Sequence, residues 1–142
     1  MAVFLNNKVG LKIGAVDLSD RVTSITINRS FDELETTAMG QAGHTFVKGL
    51  EAGSISIDFL NDTASGEVLQ TLQNVWGTNA VITVVQDATS PVTISAANPL
   101  YTMTCLINNT TDVNGAVGEL GMQSLSFNVS GTIAVATTGT WS

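Results

Sequence analysis

Residues Phe31–Glu51 read FDELETTAMGQAGHTFVKGLE, between RVTSITIN (Arg21–Asn28) and GSISIDFLN (Gly53–Asn61). Both flanks alternate apolar and polar side chains, with Ile25 and Ile27 in the first and Ile55, Ile57 and Phe59 in the second. Successive side chains of a strand point to opposite faces, so this period of two predicts two strands, each with one buried face. The stretch between them keeps no apolar periodicity and carries Gly40, Gly43 and Gly49. Hairpin loops take about two to five residues, so a connection of about twenty is either functional or disordered. Leu34, Met39, Phe46, Val47 and Leu50 decide between the two, because a solvated loop does not carry that many large apolar groups. The sequence therefore predicts a long inter-strand loop, residues 31–52, that acts as an arm and needs a partner surface. Its contact candidates are Leu34, Met39, His44, Phe46, Val47 and Leu50. On the second strand Ser54, Ser56 and Asp58 share the polar face opposite Ile55, Ile57 and Phe59.

The rest of the chain continues in the same mode. Val3–Leu5 and Val9–Ile13 flank Asn6-Asn7, which predicts an N-terminal arm or hairpin within residues 1–16. A parity break between Val22 and Ile25 predicts a bulge near Thr23–Ser24 in the first long strand. Val68, Leu69, Leu72, Val75 and Trp76 form a stripe at a helical period and predict one helix over 62–77, capped by Asp62 or Thr63 and ended by Gly77. Ala80–Gln86 (AVITVVQ) is continuously apolar, as in a strand covered on both faces. After a turn-rich excursion at Asp87–Asn98, with a short strand at Val92–Ile94, alternation resumes at Leu100–Asn108 and Leu120–Ser130. The latter shows another parity shift between Met122 and Leu125. The tail, residues 137–142, is expected to be loose unless Trp141 docks. One helix and about six or seven strands imply a mainly β protein, an antiparallel β-sandwich or barrel with one flanking α-helix. Residues 1–142 read as a single domain.

Composition narrows the function. Five Lys and Arg against twelve Asp and Glu leave a net charge of −7, and the five bases are scattered. Affinity for a phosphate backbone comes from clustered cations, so a nucleic-acid grip is excluded. Only 12% of residues are charged, against about 25% in an ordinary soluble domain. A polar, weakly charged surface suits a protein covered by copies of itself. The start MAVFLNNKVG lacks the basic and long apolar regions of a signal peptide, and no apolar run reaches the roughly eighteen residues of a membrane helix. No membrane association is expected.

No catalytic constellation is visible, and an enzyme is not expected. His44 is the only histidine, so any Ser–His–Asp or Cys–His site would have to use it. It stands beside Gly43 with no cysteine near, and reads as a solvated or interface imidazole. The spacings of zinc and calcium sites are missing, as are glycine-rich phosphate loops, so neither metal nor cofactor is expected. Cys105, the single cysteine, lies in an alternating run and reads as a buried thiol. Asp32, Glu33 and Glu35 form an acidic cluster that is either a solvated loop entrance or a partner for Arg21, Arg29 or Lys48 of a neighbouring subunit.

The run DLSDRVTSITINRSFDELETTAMGQAGHTFVKGLEAGSISIDFLND (Asp17–Asp62) resembles the N-terminal half of the major tail tube proteins of long-tailed, siphovirus-like bacteriophages. The shared pattern begins with an Asp-Leu, here Asp17-Leu18, before the first alternating strand. An acidic-Thr-Thr-x-x-Gly stretch follows, here Glu35-Thr36-Thr37-Ala38-Met39-Gly40, and then a Gly-Leu, here Gly49-Leu50, leads into the second strand. The resemblance implies a phage tail tube fold and a structural virion protein, assembled in the cytoplasm of the host bacterium into the phage tail. In such proteins hexameric rings stack into a helical tube through which DNA is ejected, and the long loop reaches the next ring. The implied partners are further copies and the tail terminator, tape measure and baseplate proteins. DNA would pass the lumen without specific binding: six copies at −7 carry about −42 per ring, which repels phosphates. Ser54, Ser56 and Asp58 would then be lumen-facing. The alternative is a β-sandwich capsid-decoration or receptor-binding virion module.

Overall fold

The computed structural model describes residues 8–89 and 91–141. The first part of the predicted N-terminal hairpin, Val3–Leu5, lies outside the described residues. Among the described residues eight strands and one short helix follow in the order β1 (Gly10–Ile13), β2 (Val16–Asp17), β3 (Val22–Glu35), β4 (Phe46–Leu60), α1 (Val68–Asn74), β5 (Asn79–Val85), β6 (Leu100–Leu106), β7 (Met122–Asn128) and β8 (Ala134–Ala136). A single 3-10 turn, Ser19–Arg21, leads into β3. The strands form two antiparallel sheets, β2-β1-β5-β6-β8 and β3-β4-β7. The architecture is the expected antiparallel β-sandwich with one flanking helix.

Alternation builds the core. Ile55, Ile57 and Phe59 of β4 and Leu125 and Phe127 of β7 pack from one sheet against Leu11, Ile13, Ile82, Val84, Met103 and Cys105 of the other. Burying a side chain of this size stabilises by roughly 1.5–3 kcal/mol, enough for a domain of this length to hold without a disulfide. On one side the sandwich closes, where Cys105 bridges Val129 and the Ser130 N–H donates to the Thr104 carbonyl at 2.7 Å. There Gly53 approaches Ile133 so closely that an added Cβ would lie 2.8 Å from its Cδ1.

Several elements differ from the sequence expectation, each for a visible reason. The bulge in β3 is present as a register shift between Val22 and Ser24. The parity shift expected in β7 is absent: Gln123, Leu125 and Phe127 all point inward. Gln123 is buried yet satisfied, accepting from the Thr111 N–H at 2.8 Å and donating to Asn61 Oδ1 at 3.3 Å. A polar residue on the core face made the pattern look broken. The helix is shorter than 62–77 because Gly66 takes φ 79° and Asp62 closes a turn onto the Ala64 N–H. Its buried stripe is Val68, Thr71 and Leu72, leaving Trp76 exposed. Strand β5 is buried mainly on one face, with Val81 exposed on the other. Val92–Ile94 forms no strand; Asn98 instead ties that excursion by donating to the Asp87 and Thr93 carbonyls, each at 2.9 Å.

The tail docks. Trp141 lies over β1, its indole N–H donating to Thr83 Oγ1 at 3.2 Å and its ring 4.7 Å from the Lys12 ammonium. Gly10 makes room, since a Cβ there would sit 2.7 Å from the indole.

Candidate assembly interface

The segment expected as a loop is mostly ladder. Strand β3 continues to Glu35 and β4 begins at Phe46, so the arm is a two-stranded ribbon that ends in a short loop, residues 36–45. Every residue from Asn28 to Lys48 is exposed. At about 3.3 Å per residue, the ribbon from Arg29 to Glu35 projects roughly 20 Å beyond the body. The motif around Glu35 ties its end. The Thr45 N–H donates to Thr37 Oγ1 at 2.9 Å, the Thr36 and Thr45 hydroxyls meet at 3.0 Å, and the Thr36 N–H donates to the Thr45 carbonyl at 2.8 Å. Gly40, at φ 91°, supplies the left-handed position of a turn closed by the Gln41 N–H on the Ala38 carbonyl.

Cross-strand partners share a face, so the register assigns the arm's side chains. Leu34 pairs with Val47, while Glu33 pairs with Lys48 and Glu35 with Phe46. A second register shift, where Gly49 and Leu50 oppose Asp32, adds Leu50 to the face of Leu34 and Val47. That face is bare: Leu34 is 53%, Val47 50% and Leu50 82% exposed. The opposite face carries Phe31 and Phe46, also half exposed, with Lys48 5.5 Å over the Phe31 ring. His44 pairs with Glu35 at 3.3 Å beside Phe46, and Met39 stands fully exposed at the turn. Leu34, Phe46, Val47 and Leu50 thus fall on the ribbon's two apolar faces, and Met39 and His44 on its tip loop. Phe31 belongs with them, on a face that only the register with β4 defines.

Ser54, Ser56 and Asp58 lie on the outer face of the three-stranded sheet. Their partners are Asn28, Thr26 and Ser24 on β3 and Asn128, Ser126 and Ser124 on β7. The result is a three-by-three grid of hydroxyls and amides with a single charge, Asp58. Alternation within one strand cannot show such a grid, because it needs the pairing of all three. The free edge of β7 is covered by its own loop, with Asn109 donating to the Ser126 carbonyl at 2.9 Å and Thr111 to the Ser124 carbonyl at 3.4 Å. Among the described residues strand β3 has β4 on one side only, which leaves an open edge on a 14-residue strand.

Next to that edge the sheets stand apart. A cleft of about 530 Å³ is lined by apolar Val9, Val22, Ile25, Ile27, Val84 and Tyr101 and by polar Ser19, Thr23, Ser24, Arg29 and Gln86. Of the three cations considered as partners for the acidic cluster, two are engaged within the chain. Arg21 donates to Asp62 at 2.8 Å, and Lys48 covers Phe31. Asp62 is held below the ordinary carboxylate range, first by the Ala64 N–H and then by Arg21. Among the described residues Arg29 makes no ion pair. No group of three or more metal-ligating side chains occurs among the described residues, and no helix is long and apolar enough to cross a membrane.

Comparison with solved structures places this geometry. A chain of the native gene transfer agent virion superposes with a TM-score of 0.73 at 11% identity, covering 94% of this chain and 99% of the other. The chain has a tail-tube fold. A chain from the tail of the empty gene transfer agent particle, determined with C6 symmetry, gives a TM-score of 0.62 at 12% identity over 89% and 92% of the two chains. One from the tube-terminating cap of the anti-feeding prophage gives 0.67 at 11% identity over 97% and 93%. No family model matches the sequence. No curated protein matches it either.

Proposed function

We propose that this protein is a non-enzymatic structural subunit of a phage or phage-like tail, and that it forms hexameric rings stacked into a tube through which DNA is ejected. The single observation that carries the reading is the arm: a ribbon with apolar side chains on both faces that extends clear of its own body. Its contact residues, Leu34, Met39, His44, Phe46, Val47 and Leu50, meet the next ring. A surface patch and a distant receiving surface on the same molecule make a head-to-tail contact, which generates an open filament when the rotation does not close. A neighbouring copy packed along β3 in a ring would cover its open edge.

The hydroxyl and amide grid around Ser54, Ser56 and Asp58 faces the lumen. Six copies of Asp58 make one sparse ring of carboxylates in an otherwise uncharged wall. Such a wall repels phosphates mildly and offers no cation to hold them, so DNA slides through without specific binding. Tail terminator, tape measure and baseplate proteins cap and set such a tube, and the virion tail is its location. The C6 tail, cap and baseplate assemblies that hold similar chains support the symmetry and the first and last of these partners.

Negative-stain microscopy at high protein concentration tests the reading. Hollow filaments or stacked rings are expected. Monomers or closed trimers without a lumen would instead favour a capsid-decoration or receptor-binding module.

A further inference from the structure

We propose that the cleft beside the open edge of β3 is the seat for the Leu34–Val47–Leu50 face of a second copy's arm, an assignment that rests on the tube reading and names where each arm goes. The cleft offers Val22, Ile25, Ile27, Val84 and Tyr101 as apolar contacts among a lining that also includes Ser19, Thr23, Ser24, Arg29 and Gln86, and lies open at about 530 Å³. Sites that enclose a small ligand span roughly 300–1,000 Å³, so it takes a few side chains and not a whole ribbon. One apolar face of the arm supplies that number.

The arm cannot fill its own cleft. Val22 to Arg29 line the cleft from one half of β3, and the arm is the other half of the same strand. A continuous strand does not fold its end back over its middle, so the occupant comes from another molecule. Charge favours the same pairing. Asp32 lies on the arm face that carries Leu34, and Arg29 is the one charged residue that lines the cleft. Each copy offers one arm and one cleft, a head-to-tail contact that extends an open filament when its rotation does not close.

The test uses the full chain with Thr23→Cys at the cleft and Val47→Cys on the arm, both at exposed positions. Cys105 stays silent, since it is fully buried and its thiol is pushed up to about 11 by that burial. A short bis-maleimide added to filaments should give ladders of linked copies, and added to dilute protein should give none. Filaments without ladders overturn the seat while leaving the tube reading intact. Links within single copies at high dilution also overturn it, because the arm would then fold back. Absence of filaments from the unsubstituted chain at any concentration removes the tube reading and the seat together. In parallel, Arg29→Glu should raise the critical concentration for assembly about tenfold and Asp32→Arg should restore it in the double variant. A double variant no better than R29E overturns the seat.

Discussion

Replacing Leu34, Val47 and Leu50 together by threonine removes one apolar face of the arm and leaves its strand propensity in place. Full burial of such side chains is worth roughly 1.5–3 kcal/mol each, and between half and four-fifths of each is still exposed in the single chain. Covering them in an assembly would therefore contribute roughly 3–5 kcal/mol per subunit gross. Ordering of these short aliphatic side chains takes back about 0.5–1 kcal/mol apiece, leaving about 2 kcal/mol. At about 1.4 kcal/mol per tenfold, the critical concentration for filament formation should rise at least tenfold, and nearer thirtyfold. The isolated domain should barely notice. Exposed substitutions change stability by about 0.5 kcal/mol each, which for this size is a melting shift of a few degrees at most. The assay is pelleting of filaments across a concentration series, with melting followed by circular dichroism on dilute protein. An unchanged critical concentration, or a melting temperature lowered by ten degrees or more, would refute the reasoning, because the face would then pack on its own chain.

Three further outcomes concern the fold. Trp141→Ala removes a cation–π contact worth about 0.5–2 kcal/mol and the Thr83 hydrogen bond worth about 1 kcal/mol, so the melting temperature of dilute protein should fall by about 5 °C. Gln123→Leu keeps the volume but orphans the Thr111 N–H, and should lower stability by about 1–3 kcal/mol, seen as a lower urea midpoint at unchanged slope. Asp62 and Asp87 are both held below the ordinary carboxylate value, Asp62 by the Ala64 N–H and Arg21 and Asp87 by the Thr89 hydroxyl and N–H. Groups shifted this way bind fewer protons folded than unfolded, so their stabilisation is present above the unfolded value of about 3.8 and is lost as pH falls through the lower folded values. Acid titration of stability should show that loss below pH 4, and the Asp62→Asn variant should lose less of it.

The two-sheet fold was legible because its core residues alternate: Ile55, Ile57 and Phe59, or Met103 and Cys105, announce their face one at a time. What stayed hidden needed the pairing of strands remote in sequence. Phe31 joins the arm's second face only through the register with β4, and the grid around Ser56 exists only once β3 and β7 flank it. Gln123 misled for the opposite reason, as a polar side chain satisfied inside the core. The arm itself was recognised by its apolar content, but its conformation was not. Glycines at 40, 43 and 49 suggest a loop, whereas Gly40 serves one turn and Gly49 sits at a bulge where a Cβ would lie 2.8 Å from the Asp32 carbonyl oxygen. The cleft left no sequence signal, since Val22, Ile25 and Ile27 read as ordinary core positions.

Hydrogen exchange of the backbone amides of β3, compared between dilute protein and pelleted filaments, tests the central claim most directly. Half of those amides face away from β4, on the edge that no strand among the described residues pairs with. If the arm and the open edge are covered by neighbouring copies, exchange along Asn28–Glu35 should slow by orders of magnitude on assembly while the core of β5 and β6 changes little. Equal exchange rates along β3 in both states would contradict it.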